Sequence, residues 1–528
     1  MATNAYTASI WTDRDAPRWR ALDRELSVDV CVVGAGIAGL STAYLLARGG
    51  LTVAVVESET PGAGETGRTT AHLSNAIDDR YVEVEKLHGH EGAVLVAQSH
   101  TAAISTIEEI VRDEGIDCAF ERVDGYLFPA SDADLGLLER ERDAAVRAGL
   151  HGVALANSAP SEGPDIGPCL RFPGQAQFHP MRYLSGLARG IVNRRGHIFS
   201  NTRAESVEAG KRGGSRGRVA TSTGHTVHAA AIVVATNVPI NDRVVIHTKQ
   251  AAYRSYALAL RVPSGSMPRA LYWDTAEPYH YVRTARTGNA HDLLIVGGED
   301  HKTGQADDAD ERYARLDEWT RARFPGAGEP VQRWSGQIIE TIDYLAFIGR
   351  NPGDDNVYIA TGDSGHGLTH GMIAGVILSD LIAGRDNPWA ALYDPARKTL
   401  RAAPSFVREN ANVARQYATW LAPGTSVADS DVAPGTGAIL RDGLKHLAVY
   451  RDEEGGYQVF DATCPHLGCV VQWNSRERTF DCPCHGSRFD VAGEVLNGPA
   501  NTGLTRAQPQ VPLGDEVSEG HPRLGDPR

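Results

Sequence analysis

The chain has 528 residues, of which 42% are hydrophobic and 22% charged, so it is too long for one hydrophobic core and too apolar to be disordered. Its 66 acidic and 52 basic residues give a formal net charge of -14, which argues against a general nucleic-acid-binding protein, because such a protein needs a basic surface. No apolar run approaches the ~18 residues needed to span a bilayer, and the first residues show no secretory signal, so we expect a cytoplasmic enzyme without a membrane span.

The N-terminal region predicts a dinucleotide-binding βαβ unit. An apolar, β-branched run at 27–33 favours a buried parallel strand, and a glycine-rich turn, a helix and a second strand ending at Glu57 follow. The turn carries the GxGxxG glycines Gly34, Gly36 and Gly39. In such units the glycines allow the tight turn, the approach of pyrophosphate and close helix packing, while the acidic residue binds ribose hydroxyls. A second glycine-rich stretch at 62–67 follows no strand of its own, so we expect a turn-rich connection there.

The middle of the chain alternates between two styles of structure. The pattern at 83–139 is helical and charged, that at 245–298 indicates antiparallel strands, and a strand, a loop and an apolar helix return at 357–382. This interleaving predicts an α/β (Rossmann-like) nucleotide-binding domain with an inserted α+β substrate domain within residues 1–390. The nucleotide-binding pieces are expected at about 25–85, 180–240 and 335–390, and the substrate subdomain at about 86–179 and 241–334.

The C-terminal part predicts a separate small module. A helical segment and a linker rich in small and polar residues are expected at 391–432, and a compact module at 433–515. The last stretch, 516–528, is expected to be disordered.

Two glycine-rich motifs of the first 390 residues resemble the D-amino acid oxidase family of flavoenzymes. They are GAGETGRTTAHLS at 62–74 and TGDSGHGLTHG at 361–371, and the resemblance extends over residues 25–385. It implies a tightly held FAD, transfer of a hydride equivalent to the flavin, and an amine or amino-acid substrate. Beyond the GxGxxG unit, the matching positions imply FAD contacts from Arg68, Thr69, Thr70, Gly362, Gly365, Gly367 and Leu368.

Three further residues are candidates for the reaction centre. Thr70-Ala71-His72 resembles a motif whose histidine bonds covalently to the flavin in some amine dehydrogenases of the family, so His72 is either such an attachment point or a nearby contact. His366, in the late loop at 361–367, either touches the flavin or is structural. Arg283 lies on a segment that resembles a substrate strand, with Tyr253, Tyr256 and Tyr281. It either grips a substrate carboxylate or is a solvated surface residue.

Four residues in the C-terminal module form a metal-ligand pattern. Cys464-Pro-His466 and Cys482-Pro-Cys-His485 place two thiolates and two imidazoles on two loops. This is the donor set of a Rieske [2Fe–2S] cluster, in which two histidines replace two cysteines on one iron. A tetrahedral zinc site is the alternative, although zinc fingers put both cysteines in one loop and both histidines in the other. The pattern therefore predicts a small all-β Rieske domain.

The cluster region also resembles the Rieske proteins of respiratory and photosynthetic complexes. The resemblance implies a disulfide between Cys469 and Cys484; the alternative is two free thiols. It also implies that Ser487 donates a hydrogen bond to the cluster, whereas Phe489 stands where respiratory members have a tyrosine donor. We therefore expect a lower reduction potential than theirs.

Together the two modules predict a redox relay. Electrons from an amine or amino acid would reach FAD, then the cluster, then an external one-electron acceptor, either a protein or a quinone. An oxidase that uses O₂, with a structural or regulatory Rieske domain, is one alternative. A reductase that takes electrons from NAD(P)H is a second alternative, although the sequence has one credible dinucleotide-binding loop and that loop is assigned to FAD. A Rieske oxygenase is a third, although no mononuclear-iron domain follows the cluster motif.

Overall fold

The structure, a computed structural model, describes residues 7–11, 13, 15–160, 166–211, 214–241, 246–288, 290–417, 420 and 432–510. Most of the predicted linker and the predicted disordered tail at 516–528 lie outside the described residues. The chain divides into two compact units. The larger unit comprises Thr7–His301 and Asp308–Glu409, and the smaller unit comprises Lys302–Asp307 and the described part of 410–528.

The strands up to residue 361 are, in chain order, β1 (Leu26–Val33), β2 (Val53–Val56), β3 (His72–Leu73), β4 (Glu121–Phe128), β5 (Ala154–Ala156), β6 (Cys169–Gln177), β7 (His197–Phe199), β8 (Ala204–Glu208), β9 (Gly217–Thr221), β10 (Thr226–Val234), β11 (Gln250–Pro263), β12 (Ala270–Asp274), β13 (Tyr281–Ala285), β14 (His291–Lys302), β15 (Pro330–Thr341), β16 (Phe347–Arg350) and β17 (Val357–Thr361). The α-helices are α1 (Ile37–Arg48), α2 (Arg80–Asp113), α3 (Leu135–Arg147), α4 (Pro180–Asn193), α5 (Ala309–Arg323), α6 (Gly367–Ile382), α7 (Ala390–Tyr393) and α8 (Ala403–Tyr417). Short 3₁₀ helices lie at Glu65–Arg68, Asp132–Asp134, His247–Lys249 and Leu400–Ala402.

A mainly parallel sheet forms the nucleotide-binding layer of the larger unit. Its strand order is β16-β17-β10-β1-β2-β7, with β9 and β8 added beside β10. The central strands are runs of valine, isoleucine and alanine that are buried on both faces, as in parallel sheets covered by helices. Helices α1 and α6 pack closely at Gly371 of α6. A Cβ at this position would lie only 2.6 Å from the Ile37 side chain, so the glycine permits the close approach.

A second, mixed sheet forms the inserted layer. Its order is β15-β11-β14-β13-β12-β4-β6-β3, with β5 beside β6. Strands β4 and β12 pair in parallel, whereas β15 with β11, β14 with β13, β13 with β12, and β6 with β3, β4 and β5 are antiparallel. Alternate residues face opposite sides: Ala257 belongs to the core shared with the first sheet, whereas Tyr256 belongs to the core beneath α5. The predicted α/β domain with an inserted α+β domain is therefore confirmed.

The helical pattern predicted at 83–139 is wrong in its middle. Helix α2 changes direction at Gly89, where φ is +76°, and ends at Asp113; strand β4 then precedes α3. The sequence of β4, ERVDGYLF, joins the inserted sheet between β6 and β12, so pairing with distant strands overrides the local charged pattern.

The smaller unit contains two antiparallel sheets. The first has the order β18 (Gly437–Asp442), β19 (Lys445–Arg451) and β20 (Tyr457–Asp461). The second has the order β21 (Gln472–Asn474), β22 (Thr479–Asp481), β23 (Arg488–Phe489) and β24 (Val495–Asn497). This is the small all-β domain that the sequence predicts. Among the described residues of the whole chain, no helix combines the length and apolarity needed to cross a bilayer.

Candidate functional site

The turn between β1 and α1, together with the first turn of α1, requires glycine at two positions. Gly34 has φ of +102°, and a Cβ there would lie 2.5 Å from the carbonyl oxygen of Ala235. A Cβ at Gly39 would lie 2.0 Å from the carbonyl oxygen of Gly34. Gly36 is the N-cap of α1 and has no side chain over the helix end. The turn therefore brings the backbone to the N-terminus of α1 without a side chain from Gly36 in the way, as a pyrophosphate site requires.

The acidic residue of the unit lies directly on this turn. The backbone N–H of Ala35 donates to Glu57 Oε2 at 2.8 Å, and that of Glu59 donates to Glu57 Oε1 at 3.1 Å. The segment at 62–67 curls against the same helix end, where the Thr66 hydroxyl accepts from the Ile37 N–H at 3.1 Å. It forms turns and a 3₁₀ helix. The carboxylate and the glycine turn thus form one cradle that fits an adenosine diphosphate moiety.

The segment after this cradle is held by side chains from distant parts of the unit. Arg68 donates to the carbonyl oxygens of Thr7 and Ser335, at 2.8 to 3.1 Å. The Thr69 hydroxyl accepts from the Ala71 N–H at 3.0 Å. Thr70 is 9% exposed, and its hydroxyl lies 3.1 Å from His72 Nδ1. These contacts fix the backbone that carries the residues predicted to contact FAD.

His72 and Arg283 lie together at the face of the inserted sheet. His72 Nε2 is 3.4 Å from the carbonyl oxygen of Val282, and the ring meets Tyr281 edge-on at 5.6 Å between centroids. Burial, together with the charge of Arg283, lowers the pKa of His72 to about 3, so the imidazole is neutral at physiological pH.

The Arg283 guanidinium is buried rather than solvated. Its Nη1 donates to the carbonyl oxygens of Ala71, at 2.5 Å, and Phe178, at 3.2 Å, and the group lies over the Trp11 ring. Burial lowers the pKa of Arg283 to about 9. In the structure Arg283 holds the segment before His72; its predicted contact with a substrate carboxylate stays a prediction.

The late glycine loop joins β17 to α6. Gly362 and Gly365 have φ of +74° and +78°, and α6 starts at Gly367 with His366 as N-cap. Leu368 is 4% exposed on the first turn of α6. No side-chain hydrogen bond caps the N-terminus of α6, and the N–H groups of such a terminus can stabilise negative charge on a bound cofactor.

His366 is tied to an acidic residue that the sequence did not indicate. The Asp78 N–H donates to His366 Nε2 at 2.9 Å, and Nε2 lies 3.3 Å from Asp78 Oδ1. The Tyr279 hydroxyl donates to Asp78 Oδ2 at 2.6 Å. Burial tends to lower the pKa of His366, but the charge and hydrogen bond of Asp78 outweigh it, so the pKa is raised. Asp78 therefore favours the protonated form of His366 beside the late loop.

Other polar groups around Tyr281 and Asp78 also come from separate elements. Ser255 of β11 hydrogen-bonds through its hydroxyl to that of Tyr281 at 2.8 Å. Asp300 of β14 and Glu340 of β15 add two carboxyl groups, and the pKa of each is raised by burial first. Of the predicted substrate tyrosines, Tyr256 packs in the α5 core against Tyr313 instead. Of the missed acids, Glu340 had a local signal, because it follows two isoleucines within a strand.

The predicted cluster ligands come together in the smaller unit. Cys464 and Cys482 are buried, and their thiols share a hydrogen bond. The rings of His466 and His485 meet edge-on at 5.0 Å between centroids. Cys469 and Cys484 form a disulfide that joins the two loops, with Cα atoms 6.4 Å apart. Cys482 Sγ lies within 4.8 Å of both disulfide sulfurs, but these are not thiolates. The remaining donors, two thiols and two imidazoles, fit a Rieske cluster.

Comparison with known proteins agrees with both sites. Residues 29–381 match the FAD dependent oxidoreductase family and residues 425–509 match the Rieske [2Fe-2S] domain. The chain belongs to this family of flavoenzymes and carries a C-terminal Rieske domain. It is therefore an oxidoreductase that binds FAD and a [2Fe–2S] cluster, as the sequence predicted.

Individual relatives share either the whole architecture or the flavin part. A Bacillus subtilis protein, the putative Rieske 2Fe-2S iron-sulfur protein YhfW, is 32% identical over 492 residues, which cover 93% of this chain and 95% of the relative. Escherichia coli gamma-glutamylputrescine oxidoreductase is 26% identical over 418 residues, 76% of this chain and 95% of the relative. The crystal structure of glycine oxidase from Geobacillus kaustophilus superposes with a TM-score of 0.58 at 17% identity, covering 71% of this chain and 99% of that chain. The last match shows the shared fold.

Proposed function

We propose that the chain oxidises an amine or an amino acid at FAD and passes the electrons singly through the [2Fe–2S] cluster to an external acceptor, a protein or a quinone. The observation that supports the relay is the presence of both cofactor-binding domains on one chain, an arrangement that also extends through the Bacillus relative. The printed name of the Escherichia coli relative, gamma-glutamylputrescine oxidoreductase, supports an amine-bearing substrate. FAD supplies two-electron oxidation of a C–H bond beside nitrogen, and the cluster supplies one-electron transfer.

The Asp78–His366 pair prepares the amine for oxidation. An ammonium group has no lone pair to stabilise the developing imine, so one proton must leave before the neighbouring C–H bond is oxidised. His366 is the acceptor that we propose: protonation would change its Nε2 from an acceptor of the Asp78 N–H into a donor to the Asp78 carboxylate, which lies 3.3 Å away and would stabilise the imidazolium. Tyr279 holds Asp78 in place through its 2.6 Å hydrogen bond. Bound FAD would take up the C–H hydrogen with its two electrons as a hydride equivalent, so the organic product is an iminium ion, and the proton lost by the ammonium group would be held by His366.

His72 and Arg283 would shape the protein wall beside bound FAD on the side of the inserted sheet. Thr70 and the Val282 carbonyl orient the neutral His72 ring. Arg283 fixes the backbone at Ala71, one residue before it. Both side chains are therefore needed for a correctly shaped pocket even where they touch no substrate.

The experiment is an anaerobic substrate screen of the purified holoenzyme. Amines and amino acids are mixed with the protein, flavin absorbance reports reduction of FAD, and electron paramagnetic resonance reports the reduced Rieske cluster. We expect a substrate that bleaches the flavin also to produce the cluster signal. Flavin bleaching with a cluster that stays oxidised, or turnover in air that yields one peroxide per substrate, would overturn the relay in favour of an oxidase. Bleaching by NADH alone would instead favour a reductase.

A ligand variant separates the two modules. In Cys482→Ser we expect loss of the cluster signal and of electron delivery to the acceptor, with substrate-dependent flavin bleaching retained. Cys118→Ser is the matched control, since Cys118 is a buried thiol of the larger unit. Unchanged acceptor reduction in Cys482→Ser would show that electrons leave from the flavin directly.

A further inference from the structure

A loop from outside the Rieske motif contacts the second cluster loop, residues 482–485. This loop joins β14 to α5, and its residues Lys302–Asp307 belong to the smaller unit. Gly304 permits a close approach, because its φ is +70° and a Cβ there would lie 2.8 Å from the Asp481 carbonyl oxygen and 3.0 Å from the Pro483 nitrogen. The loop therefore lies directly against the backbone at the start of the second cluster loop.

Gln305 reaches the second cluster loop with its side chain. Its Nε2 donates to the Pro483 carbonyl oxygen at 3.1 Å. The same Nε2 donates to Asn412 Oδ1 at 2.7 Å, and Asn412 Nδ2 donates to Gln305 Oε1 at 3.4 Å. A carbonyl oxygen only accepts hydrogen bonds, so the amide nitrogen of Gln305 must be the atom that faces Pro483. Asn412, on α8, thus holds the Gln305 donor on the cluster loop.

The loop is also fastened beyond Gln305. The Asp307 carboxylate accepts from the Ser475 backbone N–H at 2.9 Å and from the Ser475 hydroxyl at 2.6 Å, directly after β21. Gln305 therefore lies between two fixed points, the close contact at Gly304 and the hydrogen bonds of Asp307. A side chain supported on both sides keeps a defined hydrogen-bond geometry.

The Pro483 carbonyl and the Cys484 N–H are the two ends of one peptide group. The backbone N–H groups of Cys484 and His485 donate hydrogen bonds to the Cys482 sulfur. A hydrogen-bond chain therefore runs from Gln305 through a single peptide group to the sulfur of a cluster ligand. A donor on the carbonyl oxygen polarises the attached N–H, so consecutive hydrogen bonds strengthen one another. Stronger N–H donors to a ligand sulfur stabilise the additional negative charge of a reduced cluster.

We propose that Gln305 is a positioning residue for the Rieske cluster and raises its reduction potential through the peptide group between Pro483 and Cys484. The match to the Rieske domain covers residues 425–509, and both Gln305 and Asn412 lie outside it. The hydrogen-bond surroundings of the cluster are thus completed by residues that this domain alone does not contain. The effect depends on the cluster and not on the identity of the substrate.

The test is a redox titration of the purified holoenzyme and of Gln305→Met, which removes the donor but keeps the length of the side chain. At the wild-type midpoint potential, oxidised and reduced cluster are equal in wild type. We expect about three times as much oxidised as reduced cluster in Gln305→Met at that potential, measured by electron paramagnetic resonance. Gln458→Met, at a partly exposed glutamine of β20, is the control and should match wild type. An unchanged ratio in Gln305→Met, or an equal shift in Gln458→Met, would overturn the proposal.

A second variant keeps the Gln305 amide but removes its orienting partner. In Asn412→Leu we expect a smaller shift of the potential in the same direction. If Gln305→Met does not retain its iron, Asn412→Leu decides, and a wild-type potential in that variant overturns the proposal.

A spectroscopic measurement separates a hydrogen-bond effect from a general loss of structure. Pulsed electron paramagnetic resonance of the reduced cluster resolves the couplings of peptide nitrogens that are hydrogen-bonded to its sulfurs. One of these couplings should decrease in Gln305→Met at unchanged iron content, whereas Gln458→Met should retain all of them. Couplings in Gln305→Met that equal those of wild type would contradict the proposed chain through the peptide group.

Discussion

Arg397 and Asp343 are joined by two parallel hydrogen bonds, from Nε to Oδ2 at 2.9 Å and from Nη2 to Oδ1 at 2.8 Å. The two side chains are only 9% and 2% exposed. Arg397 also donates to the Ala346 carbonyl oxygen at 2.8 Å, and the Thr399 hydroxyl donates to Asp343. The pair therefore fastens the chain beyond α7 to the turn between β15 and β16, directly after the strand that carries Glu340.

Asp343→Asn should destabilise the larger unit strongly, because it leaves the buried Arg397 charge without its anion. The expected loss is about 3 kcal/mol of unfolding free energy at pH 7. Urea unfolding followed by tryptophan fluorescence measures it. Asp355→Asn, at an exposed position of the same region, is the control and should be neutral.

The Asp343 pair also predicts a pH dependence. Burial tends to raise the pKa of Asp343, but the charge and hydrogen bonds of Arg397 lower it well below its usual value. A carboxyl whose folded pKa is depressed stabilises the fold fully above its unfolded pKa, about 3.9, and loses that contribution as the pH falls further. The stability gap between wild type and Asp343→Asn should therefore narrow below about pH 4. A gap that is constant from pH 7 to pH 3.5 contradicts this assignment.

Local patterns were enough for the parts of the fold that depend on local chemistry. The glycine turn at Gly34 and Gly39 follows from a strand, a turn and a helix that are adjacent in sequence, and the cluster loops follow from closely spaced cysteines and histidines. These motifs can be recognised in the sequence because few other residues satisfy the backbone geometry of the turn or the ligand requirements of the cluster.

The substrate pocket depends on tertiary contacts that the sequence does not display. Asp300 on β14 and Glu340 on β15 come together only when strands that are distant in sequence join the inserted sheet, and Asp78 comes from the segment between β3 and α2. Tyr256 shows the same limit: strand alternation separates two faces but does not say which one borders the pocket, and the side chain lies under α5. Pairing of β4 with distant strands likewise overrode a helical pattern.

Gly39→Ala should disrupt FAD binding. The new methyl group would lie 2.0 Å from the Gly34 carbonyl oxygen, so the turn that faces the pyrophosphate must move. We expect the purified variant to retain less than about a tenth of the wild-type FAD, judged from the ratio of flavin to protein absorbance. Gly64→Ala is the matched control, because its Cβ meets nothing within 4 Å and its φ is -77°. Full flavin occupancy in Gly39→Ala would show that the turn is not the nucleotide site.

FAD should be released completely when the protein is denatured. Both ring nitrogens of His72 face protein oxygens, Thr70 Oγ1 at 3.1 Å and the Val282 carbonyl oxygen at 3.4 Å, which favours a positioning role over covalent attachment. After acid precipitation we expect all flavin absorbance in the supernatant and a colourless pellet. Flavin fluorescence that stays with the polypeptide on a denaturing gel, and that disappears in His72→Ala, would establish the covalent bond instead.

Phe489→Tyr should raise the reduction potential of the Rieske cluster. Phe489 is fully buried in β23, two residues after Ser487, and the added hydroxyl supplies a donor where respiratory relatives carry a tyrosine. A donor to the cluster stabilises the extra negative charge of the reduced state. A hydrogen bond of about 1 kcal/mol corresponds to a rise of about 40 mV in the potential of a one-electron couple, and potentiometric titration of the paramagnetic resonance signal measures it.

Phe480→Tyr places a hydroxyl on the cross-strand neighbour and is the control for burying a polar group. Equal potentials in wild type and Phe489→Tyr, or equal shifts in both variants, would show that this position does not set the potential through a specific hydrogen bond.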